Sequence, residues 1–474
     1  MSDETDEVRR VIERELCERS FFFFCKWVFK RVYRKQFVEN KHHETLCQIM
    51  EKVYAGELKR IIINIPPRYS KTEIVVILFI AWTYAKNSKC NNLHVSYSDQ
   101  LALRNSSMAR GVIESEEFQN LWPIQFSRSQ KSKRQWMNLD GGETYSVSSG
   151  GAVTGFGAGL KGSDEYSGAI LIDDPLKADA ENSELQLDTV IRNYENVIAS
   201  RVNDKSTPII LIMQRLHEKD LSGHLASGKS VSGEFEQFII PAIMDREKTW
   251  YDQREEGEAL WPEVHTKEKL EDMDTKNAVL YAGQYQQRPA PEEGYMVKKS
   301  DLRYYTVLPK LSFKIISCDL NFKKDGVSNA CLSYYGVTQP NVYLINQKVG
   351  KWSFPRAVSI LKNFIAEIGD YSAILIEDKA NGSAMVATLQ DQGFHSVIAV
   401  KVDASKTFRL SEVSLFYAGG NVYYPDRSIA SWVDKHVLEV ITFPNAEYDD
   451  RVDAETQILK YYKSELATVE FYDI

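Results

Sequence analysis

Residues Ile61–Thr72, IIINIPPRYSKT, decide how the rest of the chain is read. Ile61, Ile62, Ile63 and Ile65 are too apolar for a strand with one wet face and suit a parallel strand buried on both sides. Pro66 and Pro67 end the ladder, and beyond Lys71-Thr72 the apolar run Ile74–Ala81 fits a buried helix. Strand, loop, Lys-Thr and helix make a phosphate-loop arrangement: loop amides and a helix N-terminus face an anion, the lysine reaches β- and γ-phosphates, and the hydroxyl holds Mg²⁺. Against the pattern G-x-x-x-x-G-K-[ST] the two glycine positions hold Ile65 and Ser70, so a proline-rich turn with a surface lysine is the competing reading of this segment alone.

At 474 residues the chain exceeds a single core and predicts two domains. Its 43% hydrophobic and 26% charged content is that of a soluble globular protein, and a net charge of -8 leaves no global basic footprint. Contact with nucleic acid would then run through local patches or metal ions. Six scattered cysteines without a C-x-x-C pair fit reduced thiols in a cytoplasm and exclude a zinc or disulfide frame. The charged start MSDETDEVRR is unlike a signal peptide, and no apolar run reaches the roughly 18–20 residues of a membrane span, so a soluble intracellular protein is expected.

Residues 1–58 read as helices over Val8–Leu16, Phe21–Tyr33 and His43–Tyr54, stopped at Gly56. Between the last two, Gln36 and Phe37 could embrace an adenine or simply form a helix junction. Asn92–Tyr97 reads as a strand and Gln100–Ile113 as a helix. The basic run Ser127–Arg134 reads as a solvated charge run rather than a phosphate contact, and Gly141–Gly162 as a mobile loop or ribbon. Ala169–Asp174, AILIDD, is an apolar strand ending in two carboxylates, the first suited to orient Mg²⁺ and the second to polarise a water. Pro208–Met213 is a further strand, after which Gln214 could sense a γ-phosphate. His217-Glu218 lacks the second histidine of a zincin, which excludes that zinc motif. Met244–Ala282 reads as a charged, mainly helical connector, and GQYQQRPAPEEG marks a boundary.

The second half restarts the pattern. Phe313–Asp319 ends in an acid, Ala330–Tyr335 and Val342–Gln347 continue a meander, a helix spans Phe354–Glu367, Ala373–Glu377 ends in an acid, and Asp450 and Asp453 share one face of the last helix. Three acid clusters converge in an RNase H-like fold, which holds two divalent ions about 4 Å apart and cuts phosphodiesters in line. Without cations such acids would repel one another.

Together these residues resemble the large terminase subunits of tailed bacteriophages. The family's PPRxxKS/T loop matches Pro66–Thr72, its SYS-x-x-LA segment Ser96, Tyr97, Ser98, Leu101 and Ala102, its TGxGA-like loop Thr154–Ala158, and its IDDP motif Ile172–Pro175. The QRxHExDLxG segment matches Gln214–Gly223, the linker QYQQRPAP Gln284–Pro291, and the EDKANG block Glu377–Gly382. The resemblance implies an α/β chain with a RecA-like additional-strand phosphate-loop ATPase domain followed by an RNase H-like nuclease domain. Expected boundaries are a helical region 1–58, an ATPase 59–243, a connector and linker 244–294, and a nuclease 295–474. It implies ATP bound by Gln36, Pro67, Arg68, Tyr69, Ser70, Lys71, Thr72, Asp173 and Gln214, and catalysis by Lys71, Asp174, Asp319, Glu377 and Asp450. Mg²⁺, replaceable by Mn²⁺ in the nuclease, would be held by Thr72, Asp173, Asp319, Glu377, Asp450 and Asp453. Lys323, Lys324, Lys379, Lys401 and Lys406 could hold a DNA backbone.

Expected partners are viral double-stranded DNA, the portal of a procapsid, a small terminase subunit, and copies of the chain in a ring, usually five-fold, in the host cytoplasm and with no membrane. Two residues depart from the family. Asp174 stands where many members carry Glu, and no arginine lies between Gln135 and Ile191, leaving Lys161, Arg192 or Arg201 as the trans-acting cation. A helicase with a fused nuclease would need a second RecA-like domain, for which too few residues separate Ile243 from Phe313. A non-enzymatic DNA-binding scaffold would not need the intact Lys71, Thr72, Asp173, Asp319 and Glu377.

Overall fold

The isoleucines that open the phosphate loop divide between two apolar cores. Ile61, Ile63 and Ile65 join one, with Phe21, Phe24, Val75 and Phe79, and Ile62 joins another, with Ile172, Tyr194, Leu211 and Leu225. Successive strand residues point to opposite faces, so this alternation is what a doubly covered strand requires. The computed structural model describes residues 2–153, 155–177, 184–291, 293–320, 328–378, 381–394, 396–402, 404–446 and 448–470. Thr154, Lys323, Lys324 and Lys379 lie outside them. The chain forms two units, Met1–Met273 with Leu280–Pro289, and Asp274–Val279 with Ala290–Ile474.

The first unit is built on eight strands: β1 Arg60–Asn64, β2 Asn91–Ser96, β3 Phe126–Lys131, β4 Gln135–Asn138, β5 Glu143–Ser148, β6 Ile170–Asp173, β7 Ile209–Met213 and β8 Glu236–Ile239. Their order is β3-β4-β5-β2-β6-β7-β1-β8, parallel from β5 to β8 and antiparallel among β3, β4 and β5. Helices Ser2–Arg19, Phe21–Arg31 and Lys41–Tyr54 precede β1, and Gly56 turns the chain at a φ of 78°. The run after Thr72 is helical but not uniformly α: Glu73–Leu78 is a π-helical turn that continues as the α-helix Phe79–Lys86.

Two sequence expectations for this unit are corrected and one holds. The Gly141–Gly162 stretch is not all loop, because Glu143–Ser148 is an interior strand with Val147 buried against the sheet. The basic run is solvent-exposed as expected, its first part lying on β3, with Lys131 paired to Glu114 and Arg134 to Asp99. Residues 244–266 contain no helix, and helical turns appear only at Lys267–Lys276, Ala278–Leu280 and Tyr281–Tyr285.

The second unit carries β9 Arg303–Tyr305, β10 Phe313–Leu320, β11 Ser328–Thr338, β12 Asn341–Trp352, β13 Ala373–Glu377, β14 Val397–Val400 and β15 Val422–Pro425. Their order is β14-β13-β10-β11-β12-β15-β9, with β10, β11 and β12 antiparallel and β13 and β14 parallel to β10. Ile315 faces a core built with Leu410, Val413 and Leu459 of helices Lys406–Ala418 and Asp450–Glu470. Ile316 faces the opposite core, with Leu361 and Met385 of helices Phe354–Ile368 and Asn381–Asp391.

Candidate nucleotide site and acid cluster

Because β6, β7 and β1 are adjacent and parallel, the residues that follow them emerge side by side at their carboxyl ends. There Lys71 Nζ donates to Asp174 at 2.7 Å and to Gln214 Oε1 at 3.0 Å. The Thr72 hydroxyl donates to Asp173, with Oγ1 2.9 Å from Oδ2, and Asn105 Nδ2 reaches the same carboxylate at 3.4 Å. Asp174 holds a φ of 40°, a left-handed conformation that a short polar side chain tolerates at a cost, and the Gln214 main-chain N–H meets its carboxylate at 3.3 Å. Burial, and then the neighbouring Asp174, push the Asp173 carboxyl up to about 7, against the pull of Lys71 and Thr72.

The loop reaches its shape without glycine. Arg68 and Ser70 stand at φ of 70° and 60°, the second in a position where the motif would place glycine. Between them Tyr69 turns inward, fully buried, its ring stacked on His265 with centroids 4.6 Å apart and close to His42 and Trp261. Among the other expected contacts, Pro67 is half-buried, while Arg68 and Gln36 are exposed. Phe37 packs on Phe22, Phe29 and His43. Lys161 and Arg192 are exposed and Arg201 is half-buried, and among the described residues no hydrogen bond joins any of them to Lys71, Asp173 or Asp174.

Downstream of Gln214 the chain is held by charge. Arg215 Nε donates to both oxygens of the buried Asp220 at 3.0 Å, and Asp220 caps helix Leu221–Ala226 through the Gly223 N–H at 2.8 Å. A Cβ at Gly223 would sit 1.9 Å from the Glu218 carbonyl oxygen, so the position admits only glycine. The Arg215 N–H is accepted by Gln287 Oε1 at 3.0 Å. Gln286 donates to the Ile243 carbonyl and accepts from its N–H, and Arg288 pairs with Asp245. The QYQQR run therefore packs within the first unit through buried amides, and the division expected in GQYQQRPAPEEG falls just after it, between Pro289 and Ala290.

In the second unit the acids gather beside β10 and β13. Asp319 is 3% exposed, and neither of its carboxylate oxygens has a hydrogen-bond partner among the described residues. Burial, and then the charges of Asp453, Asp450 and Glu377, push its carboxyl well above the usual range, with Lys406 opposing. Burial with Glu439 and Asp449 likewise raises Asp450, to about 6. The structure thus brings Asp319, Glu377, Asp450 and Asp453 into one neighbourhood. Lys406 and Arg409, from the helix Lys406–Ala418, enter it: Lys406 pairs with Asp453 and, at 2.6 Å, with Asp449, and Arg409 joins Asp453 at 2.8 Å to Glu377 at 3.4 Å. The orphaned oxygens of Asp319 are suited to a divalent cation. Even so, no three Asp, Glu, His or Cys side chains among the described residues stand close enough together to form a metal-binding group. Lys401 is exposed. A Cβ at Gly382 would meet the Glu377 carbonyl oxygen at 1.8 Å, so glycine there lets the next helix begin against the end of β13.

Behind this cluster the fully buried Glu455 accepts from Tyr417 and Tyr424 at 2.6 Å, and lies 2.8 Å from His436 and 3.2 Å from the Tyr335 hydroxyl. Burial alone would raise its carboxyl, but His436 and the phenols hold it below the usual range. Arg451 pairs with Glu439 at 2.6 Å and reaches Gln347 at 3.2 Å. These bonds seat the helix that presents Asp450 and Asp453.

Sequence reasoning missed Asn105, His43 and Arg409, and the pairing of Lys406 with Asp449 and Asp453. One local signal was present: Asn40 and His43 are spaced as a capping box, which the structure contains.

No family model and no curated protein matches the sequence. Among solved structures, the HK97 bacteriophage large terminase aligns over 93% of this chain and 99% of its own, at 10% identity and a TM-score of 0.38. The large terminase of the thermophilic bacteriophage D6E in complex with ATP-gamma-S aligns over 88% and 98%, at 12% identity and 0.32. The large terminase nuclease from thermophilic phage G20c with bound cobalt aligns over 36% and 98%, at 14% identity and 0.27. At these identities and scores the likeness carries no weight beyond that of the side chains described above. Among the described residues no helix is long and apolar enough to cross a membrane.

Proposed function

We propose that the chain is the large subunit of a terminase, an ATP-driven motor that moves viral double-stranded DNA into a procapsid and cuts concatemeric DNA with a metal-dependent endonuclease. One observation carries the motor half: Lys71 reaches Asp174 and Gln214 while Thr72 bonds Asp173, so the residues suited to handle phosphate, Mg²⁺ and water meet at the ends of adjacent parallel strands. Strand order supports it, since β7 lies between β1 and β6, as in an additional-strand ATPase. Lys71 would leave Asp174 for the β- and γ-phosphates, and the freed carboxylate would polarise the attacking water. Thr72 and Asp173 would hold Mg²⁺, which when bound neutralises charge on the phosphate oxygens. Gln214 would sense the γ-phosphate, with Gln36, Pro67, Arg68, Tyr69 and Ser70 shaping the rest of the ATP site.

For the nuclease half, the order β12-β11-β10-β13-β14 is that of an RNase H-like core, and Asp319, Glu377, Asp450 and Asp453 cluster beside it. These acids would hold Mg²⁺ or Mn²⁺, which supplies an activated water and stabilises the leaving oxygen. The family reading adds a small subunit, a portal and a ring of copies as partners, in the host cytoplasm.

The test is a pair of orthogonal losses in the full-length protein. Lys71→Ala should abolish ATP hydrolysis and spare Mn²⁺-dependent plasmid cutting, and Asp319→Ala should do the reverse. Wild-type ATP turnover in Lys71→Ala would sink the motor half, and plasmid nicked by Asp319→Ala would sink the nuclease half.

A further inference from the structure

We propose that His43 is a positioning residue for the phosphate loop: it sets the Ser70 hydroxyl so that its hydrogen serves the bound phosphates, and it ties the loop to the segment Gln36–Asn40. The inference rests on the nucleotide-site reading given above.

His43 is the third residue of helix Lys41–Tyr54 and closes its capping box. Its Nδ1 lies 3.2 Å from the Asn40 main-chain nitrogen. A main-chain N–H can only donate, so Nδ1 accepts and the neutral ring carries its proton on Nε2. Nε2 lies 3.2 Å from Ser70 Oγ, so the ring donates and the serine oxygen accepts. The Ser70 hydroxyl hydrogen is thereby turned away from the ring and left to donate elsewhere, on the residue that precedes Lys71. A protonated ring would set two donors against each other at Asn40. Burial keeps the ring neutral, pushing the imidazole down to about 4.

The choice of histidine is informative because a capping box at this position ordinarily uses Glu or Gln. Glutamate would close the cap but could not donate to Ser70. Glutamine could do both, on a more flexible arm. The imidazole does both in one rigid plane, and its ring is wedged between Phe37, at 5.1 Å, and Trp261, at 4.8 Å. Phe37 is the residue next to Gln36, so one side chain connects the expected base end of the site to its phosphate end.

The experiment measures ATP KM and kcat, affinity for a fluorescent ATP analogue, and Tm in the full-length protein. His43→Ala should raise KM and the analogue Kd on the order of tenfold, the loss expected for one hydrogen bond to a binding group. In a Ser70→Ala background the same substitution should add less than about twofold, because the partner is already gone. His43→Glu, whose carboxylate can still accept from the Asn40 N–H but has no hydrogen for Ser70, should raise KM even though burying the charge lowers Tm, and His43→Gln should recover most of the affinity. The proposal fails if the factor is the same with and without the Ser70 hydroxyl, or if His43→Glu binds nucleotide as tightly as His43→Gln does. The Glu and Gln pair keeps the test decisive if the alanine variant does not fold. Lys71→Ala in the same assay separates the two ideas. If it still turns over ATP, the nucleotide reading falls; if it is dead while the His43 variants bind normally, only the present inference falls.

Discussion

Asp173 and Asp174 of the first unit meet donors from the very loop that would bind the ligand, whereas Asp319, buried at the end of β10 in the second unit, meets none among the described residues. Asp173 and Asp174 are held by Thr72 and Lys71, so the nucleotide site is hydrogen-bonded at rest. Asp319 lies among like charges with both oxygens unpartnered among the described residues, and the nearby cations Lys406 and Arg409 pair with its neighbours. A buried, unsatisfied polar group costs on the order of 1–3 kcal/mol, more if charged. The first arrangement is prepared by its own motif; the second sets stability against function.

The largest effect that would test this contrast is structural. Glu455→Gln should cost about 3–5 kcal/mol in urea unfolding, since it leaves His436 and the phenols facing an amide in place of a buried carboxylate. An unchanged urea midpoint would mean that the network does not seat the last helix. Next, Lys71→Ala should lower ATP turnover by roughly 10²–10³-fold, the scale seen when a transition-state donor is removed, as read by phosphate release. Third, Asp319→Asn should stabilise the protein in EDTA by about 1–3 kcal/mol, while Asp173→Asn should not, because its oxygens already accept hydrogen bonds. Thermal unfolding of both variants in one buffer decides whether the contrast is real. The smallest effect concerns the counter-ions: Lys406→Ala should raise Mn²⁺ affinity several-fold by calorimetry, about 1 kcal/mol, with ATP turnover unaltered. Weaker Mn²⁺ binding would show that Lys406 supports the metal site instead of competing with it.

How far these features were legible follows from where their partners lie in the chain. Ile61–Thr72 could be read locally because a strand buried on both faces needs a continuous apolar run. Asp319, Glu377 and Asp450 could be read as element ends. Glu143–Ser148 could not, since Gly and Ser flank it and its strand character comes from lying beside β2, which is distant in sequence. The QYQQR run marked the division between the units by composition, but not that its amides are buried on Ile243 and Arg215 just before that division. Lys406 and Arg409 carry no local signal, because their meaning comes from acids that other elements bring to them.

The loop from Pro66 to Thr72 has a consequence that shows best in the unfolded chain. Glycine at a left-handed position gives up more conformational freedom on folding than other residues, by roughly 0.4–1 kcal/mol relative to a residue with a Cβ. With Arg68 and Ser70 in left-handed backbone, this loop orders at a smaller entropic cost and carries torsional strain instead. What keeps it in shape is the seat of Tyr69 among His42, Trp261 and His265, and not the permissiveness of its own residues. Over generations, neither position 68 nor position 70 therefore needs glycine for its backbone, provided the aromatic seat is inherited intact, although the His43 contact still asks for a hydroxyl at position 70.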